Sequence, residues 1–221
     1  VRKKRNLTKE KIILASLEVL QKNGIQNLSM RKVAEAMNVQ APAIYWHFKN
    51  KQDLLQGLAS YISSQIELPD PALPWQEKAR SLAIRSHNAM REIPDGAEIM
   101  MKTIPIDIHR LQMIDCLFIA FLDAGFTEDQ TLALCNLIDN YVTGIAIDES
   151  SQDRTLQEVG PDKIHGLFAS MFEREDAQHL KVLPAMRKHA ESENRFDLNF
   201  LFGLDVIIAG AEKLLASNEG V

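Results

Sequence analysis

The stretch AIYWHFKNK, residues 43–51, gathers a phenol, an indole, an imidazole and two ammonium groups on one short segment. These groups bind and neutralise phosphate oxygens. Tyr45 and His47 can do so by hydrogen bonds, and Lys49 and Lys51 by charge at a helix start whose free N–H groups also favour an anion. Trp46 is counted with them, although an aromatic at helical spacing is more often core. Immediately upstream stand Gln40, Ala41, Pro42 and Ala43. The Gln40 amide can read a base edge, and the two alanines are small enough to let a helix lie deep in a groove and meet a thymine methyl. Arg31 can read guanine with its fork of N–H donors. Each feature alone is what a solvated surface shows; together they describe a reader of double-stranded DNA.

Such a reader needs a frame, and the flanking sequence supplies one. Thr8 precedes KEKIILASLEVLQKNG, where apolar residues recur at Ile12, Ile13, Leu17 and Leu20 and Gly24 is the stop. Ser29 caps a second helix over residues 30–36. MNV is the turn, with Asn38 able to take a left-handed conformation. Pro42 suits the first turn of a third helix, about residues 41–48, with Val39 and Ile44 packing inward. Asn50 caps a fourth. Short helix, tight turn, short helix is the helix-turn-helix arrangement. Little else alternates with period two, so the remainder also reads as helix. The expected fold class is all-α. A three-helix helix-turn-helix DNA-binding head spans residues 1–57, and a larger effector-binding and dimerisation domain spans 58–221.

Charge follows the same division. The net charge is −5, but residues 1–57 hold eleven Lys and Arg against four Asp and Glu, and residues 58–221 hold fourteen against twenty-six. A basic module facing an anion is joined to an acidic one with another task. The tail VRKKRN adds nonspecific attraction to a phosphate backbone. Cys116 and Cys135 form no disulfide framework and no metal-ligand spacing, and read as small core thiols. No signal peptide and no membrane-spanning run is expected, which points to a reducing cytoplasm. Asp95, Glu98, Asp107, His109 and Asp148 could serve acid–base chemistry, but no nucleophile elbow, Gly-rich phosphate loop or paired His ligands accompany them. The chain is read as no enzyme, with no cofactor and no metal. A helical interaction protein without an effector is the other reading.

SMRKVAEAMNVQAPAIYWHFKNKQDLL resembles the DNA-binding domain of the TetR family of bacterial transcription regulators, with Asn38 where glycine is usual. Three further pieces resemble the effector domain of the family's tetracycline-repressor branch: PWQEKARSLAIRSHNAMREIPDGAEI, FLDAGFTEDQTLALCNLIDNYVTGIAIDE and FLFGLDVIIAGAEKLL. The resemblance implies a homodimeric repressor on a palindromic operator, released by a small-molecule effector. That branch holds its drug as a magnesium chelate. Here Met100 stands at the position of the metal-ligating histidine, Leu82 at an asparagine, Ile104 at an arginine and Leu117 at a glutamine. Thr103 and Pro105 are retained, and Asp148 falls where an acidic group approaches the metal's water shell. One carboxylate without the imidazole is a poor Mg²⁺ site. The expected effector is therefore a hydrophobic or aromatic molecule other than magnesium-tetracycline. The expected pocket holds Leu82, Ser86, Met100, Thr103, Pro105, Met113, Leu117, Cys135 and Ile138, with Phe168 and Met171 lent by the other subunit. His109 could replace the lost polar anchor. The methionines could equally fill a core that has no cavity.

Three expectations concern the larger domain. Leu201, Leu204, Ile207, Ile208 and Ala211 form the dimerisation seam of the last helix. Gly203 and Gly210, each costing about 1 kcal/mol in a helix interior, allow a close crossing there, or else against a helix of the same chain. The polar stretch 148–166 is expected as a loop that could serve as a lid over the pocket, lent to the partner. MREIPDGAEIMMKTIPID, broken by Pro94, Gly96 and Pro105, is the moving part that couples ligand to DNA.

Overall fold

The computed structural model describes residues 7–190 and 195–218, all-helical and without a strand among them. The head is built from α1 (Lys9–Asn23), α2 (Met30–Ala36) and α3 (Ala41–Tyr45), closed by α4 (Lys51–Ser64). Each longer helix starts on a side-chain cap. Thr8 Oγ1 accepts from the Lys11 N–H at 3.4 Å, Ser29 Oγ from Lys32 at 3.3 Å, and Asn50 Oδ1 from Asp53 at 2.8 Å. Asn38 turns the chain between α2 and α3 at φ 53°. Ile12, Val33, Ile44, Leu54 and Leu58 are sealed from solvent between the four helices. The VRKKRN tail lies outside the described residues.

Helix α4 runs unbroken past residue 57, so the expected boundary between residues 57 and 58 falls inside it. A Cβ at Gly57 would lie 2.7 Å from the Phe48 ring, so α4 lies flush on the head. The larger part follows as α5 (Trp75–Glu92), α6 (Gly96–Met101), α7 (Ile108–Asp123), α8 (Glu128–Val159), α9 (Pro161–Phe172), α10 (Val182–Ala190) and α11 (Arg195–Asn218). Helix α8 is the central member, opened by a capping box between Thr127 and Gln130 and packed on α5, α6, α7 and α11. Trp75, Phe121 and Phe126 form an aromatic knot with centroids 5.5–5.8 Å apart. Arg80 pairs with Asp205, and Gln76 with Glu212 at 2.9 Å, fastening α5 to α11.

Two sequence expectations are corrected here. The stretch 148–166 is not a loop: α8 continues to Val159, Gly160 turns the chain at φ 87°, and Pro161 opens α9. The continuation is anchored by Glu149, buried and 3.0 Å from His87 Nε2 on α5. A carboxylate in the contact face hides the apolar period by which a helix is usually read. The second correction concerns α11. Leu204, Ile208 and Ala211 are buried in the chain's own core, and Leu201 and Ile207 pack partly against it. The helix's outward face carries Leu198, Phe202, Val206 and Leu214 instead. The two glycines also part company. A Cβ at Gly203 would collide with the Tyr141 phenol of α8, whereas Gly210 has open space beside it.

Candidate nucleic-acid interface and ligand cavity

The inward face of the third helix is held by Ile44 and Phe48, four residues apart and both buried. This leaves Gln40, Pro42, Tyr45, Trp46 and Lys49 exposed, with Ala41, Ala43 and His47 half-buried. Trp46 is 88% exposed and so is not core. Helix α3 is shorter than the expected 41–48. The N–H groups of His47 and Phe48 both turn back to the Ile44 carbonyl, at 2.9 and 3.0 Å, and the Lys49 N–H goes to Asp53 Oδ2 at 2.8 Å. Tyr45, Trp46 and Lys49 thus stand on one exposed ridge at its C-terminal end. Arg31 is exposed and paired with Glu35 at 2.9 Å, a surface contact of little energetic weight. Lys51, also expected at a phosphate, donates from Nζ to the Ile25 carbonyl at 2.9 Å, bracing the 3₁₀ turn Ile25–Asn27 that precedes α2.

A cavity of about 330 Å³ opens among α5, α7, α8 and the segment after α6. Leu82, Ser86, Met100, Thr103, Pro105, Met113, Leu117, Cys135 and Ile138 all line it, so nine residues singled out in the sequence come together in one place. Phe168 and Met171 do not line this cavity. Helix α9 has no buried side chain, and Phe168 stacks on Phe172 at 6.4 Å. His109 is not on the wall either. The next residue is: Arg110, 6% exposed, donates from Nη2 to Thr103 Oγ1, while its Nε lies 3.4 Å from Asp107 Oδ2 and makes no hydrogen bond. Asp139, Asn136, Asn140 and Thr143 of α8 add polar groups that sequence reading missed. The signal for Arg110 was present, since it continues the row Met113, Ile114, Leu117 one turn back, an arginine on a cavity-facing stripe. Burial lowers the Arg110 pKa, and Asp107 and Asp139 oppose that shift. The surrounding protein raises the Asp139 carboxyl, and Arg110 draws it back. Burial pushes the Cys135 thiol up to about 11.

The cavity is wired to the head through backbone carbonyls. Gln52 Nε2 donates to the Lys102 carbonyl and Gln56 Nε2 to that of Ile104, both at 2.7 Å. Thr103, between them, faces the cavity and donates to the Ile99 carbonyl at 2.9 Å. A second joint lies at Asp95, itself left-handed at φ 55°. Asp95 accepts from the Ile25 N–H at 2.7 Å and from Arg154 of α8 at 2.5 Å. Glu98 adds a contact from Gln26 at 3.0 Å. The segment read as the moving part is thus the one that touches head, cavity and α8 together.

The metal of the resembling branch does not fit this wall. No imidazole lines the cavity, Met100 offers a thioether, and the Arg110 guanidinium already places a cation beside the Asp139 carboxyl. Among the described residues no group of three or more His, Cys, Asp or Glu could hold a metal ion.

A helix-turn-helix head on a helical domain defines the class, a bacterial DNA-binding regulator. Residues 12–58 match the family model described as bacterial regulatory proteins, tetR family, and residues 68–215 that described as tetracyclin repressor-like, C-terminal domain. The chain belongs to the TetR family. It is 31% identical over 219 residues to the class G tetracycline repressor protein of Vibrio anguillarum, with 96% of each chain covered. Among solved structures it is similar to a variant of TetR from Acinetobacter baumannii AYE in complex with minocycline (27% identity, 95% of this chain and 98% of that one, TM-score 0.72). It is also similar to BioQ with its double-stranded DNA operator (27% identity, 73% and 98%, TM-score 0.60).

Proposed function

We propose that this chain is a cytoplasmic homodimeric repressor that leaves a palindromic operator when a hydrophobic or aromatic small molecule, other than magnesium-tetracycline, enters its cavity. The observation that carries the reading is the pair of glutamine contacts. The loop that lines the cavity at Thr103 and Pro105 is hydrogen-bonded to α4, the helix that closes the head. Two recognition helices must hold a fixed separation to fit two half-sites. A ligand that favours another position of this loop lowers operator affinity by its differential affinity for the two states.

In this reading residues 1–57 read DNA and 58–221 bind ligand and dimerise, with α4 as the rod between them. Arg31, Gln40, Ala41, Pro42 and Ala43 face the groove, and Tyr45, Trp46, His47 and Lys49 the phosphates. The dimer seam is the outward stripe Leu198, Phe202, Val206 and Leu214, a row too apolar to remain in water. Helix α9, with Leu167 60% exposed and Phe168 and Met171 unburied, has the character of an arm laid over the partner's cavity. The relatives with bound minocycline and operator DNA support the two binding roles. No helix among the described residues is long and apolar enough to cross a membrane.

The test is an equilibrium titration against the DNA upstream of the protein's own gene, at two salt concentrations, with and without ligand. Palindrome-dependent binding that falls steeply with salt and weakens with ligand is expected. Operator affinity that ligand leaves unchanged would refute the effector mechanism.

A further inference from the structure

Resting on the reading of the cavity as an effector site, we infer that its ligand is an apolar ring system carrying an acidic oxygen, and that this oxygen seats against Arg110. The guanidinium is buried in the wall, and its Nε makes no hydrogen bond. Asp107 Oδ2 lies 3.4 Å from that nitrogen but makes no hydrogen bond to it. The other oxygen of Asp107 is committed to the α7 cap, accepting the Arg110 N–H at 3.1 Å. Thr103 takes one N–H of the fork. A buried N–H that makes no hydrogen bond is costly even with a carboxylate nearby, and an incoming oxyanion that accepts it removes that cost.

The remaining wall defines the rest of the molecule. Leu82, Met100, Met113, Leu117 and Ile138 demand apolar, polarisable surface, and about 330 Å³ admits a small ring system. Asp139 is the one lining carboxylate. Its charge makes an amine the natural rival. The two groups differ in permanence, however. Arginine stays protonated at any working pH, whereas burial raises the Asp139 pKa and Arg110 lowers it. A hydroxyl on the ring could donate to Asp139 while the acidic oxygen holds Arg110. Because Arg110 also holds Thr103, an anion that draws on the guanidinium acts on the hydrogen bond at the end of α6.

Three matched probes test this: 9-anthracenecarboxylate, its methyl ester and 9-anthracenemethylamine. Each is titrated by fluorescence into the full chain, and occupancy of the cavity is read separately as protection of Cys135 from a thiol reagent. The acid is expected to bind about tenfold tighter than the ester. Arg110→Met should erase that ratio and Arg110→Lys should keep part of it. Thermal unfolding of each variant shows that it is folded. An ester that binds as well as the acid, a ratio that survives Arg110→Met, or an amine that binds best overturns the inference, the last in favour of Asp139. The wild-type ratio decides even if a variant does not fold. If no probe protects Cys135, the effector-site reading itself fails, a result distinct from ligands that bind without preference for charge.

Discussion

The side chain of Gln56 and the backbone of Ile104 make a two-way pair. The amide donates to the carbonyl at 2.7 Å and accepts from the N–H at 3.3 Å. This is the geometry of a β-ladder rung, made here between a helix and a loop. It fixes the height of residue 104 against α4 while Thr103 and Pro105, on either side, face the cavity.

Gln56→Leu keeps much of the volume and loses both bonds. The protein is expected to bind operator normally and to respond to ligand several-fold more weakly, as measured by operator titration with and without a saturating ligand. The double variant with Gln52→Leu should lose more of the response than either alone. Full response in the double variant would move the coupling to the Asp95 joint.

The DNA interface predicts two different phenotypes from two cations. Arg31→Ala should relax base preference at one operator position by about 1–3 kcal/mol. Lys49→Ala should weaken binding to all sequences alike and flatten the salt dependence by about one counterion. Competition with single-base operator variants, repeated at two salt concentrations, separates them.

His87 and Glu149 are a buried pair joined at 3.0 Å, with the His87 ring stacked on Phe200 at 4.2 Å. Arg91 lies 3.4 Å from the same carboxylate oxygen. His87→Leu alone should destabilise the fold by about 3 kcal/mol, because it removes the hydrogen-bonded partner of a buried carboxylate and leaves it only the longer contact with Arg91. Adding Glu149→Leu should restore part of the loss. Denaturant unfolding of the two single variants and the double closes the cycle, and strict additivity would show that the pair is not coupled.

The two glycines of α11 should respond in opposite ways. Gly203→Ala pushes a methyl into the Tyr141 phenol, whose hydroxyl donates to the Phe200 carbonyl at 2.9 Å, and should cost about 1–3 kcal/mol. Gly210 has open space beside an added Cβ, so Gly210→Leu should leave the monomer fold intact. It should disrupt assembly if the outward stripe is the seam. Light scattering on the purified variants reads the second effect and thermal unfolding the first.

The Cys135 thiol, pushed up to about 11 by burial, should react slowly with iodoacetamide. The reactive thiolate is about one part in a thousand at pH 8. Its rate should rise about tenfold per pH unit as pH climbs toward 11, where the thiol is half deprotonated.

The head was legible because its signals are local: Thr8, Ser29 and Asn50 cap the helix each precedes, and Asn38 sits in the turn it names. The cavity was legible as far as apolar faces carry it. The row Met113, Ile114, Leu117 points to Arg110 rather than His109, but only the fold shows its bond to Thr103 and the Nε that makes none. The C-terminal half of α8 was unreadable for the same reason, its anchor Glu149 being defined by His87, 62 residues away. In α11 apolar residues occur on both faces, and sequence alone does not say which face meets the chain's own core.

Helix α8 spans 32 residues, about 48 Å of rigid rod. Its first half furnishes the cavity wall to Gly144, and its second half carries Glu149 to His87 of α5 and Arg154 to the Asp95 joint with the head. In the proposed mechanism the α8 part of the cavity wall and the arginine of the Asp95 joint occupy successive lengths of one rod, separated by about 15 Å between Gly144 and Arg154. The α8 residues of the wall could then be exchanged to accept a new molecule without rewriting the Thr103 loop or the Asp95 joint that report its arrival. That makes the chain a natural chassis for sensors whose input is altered and whose output is kept.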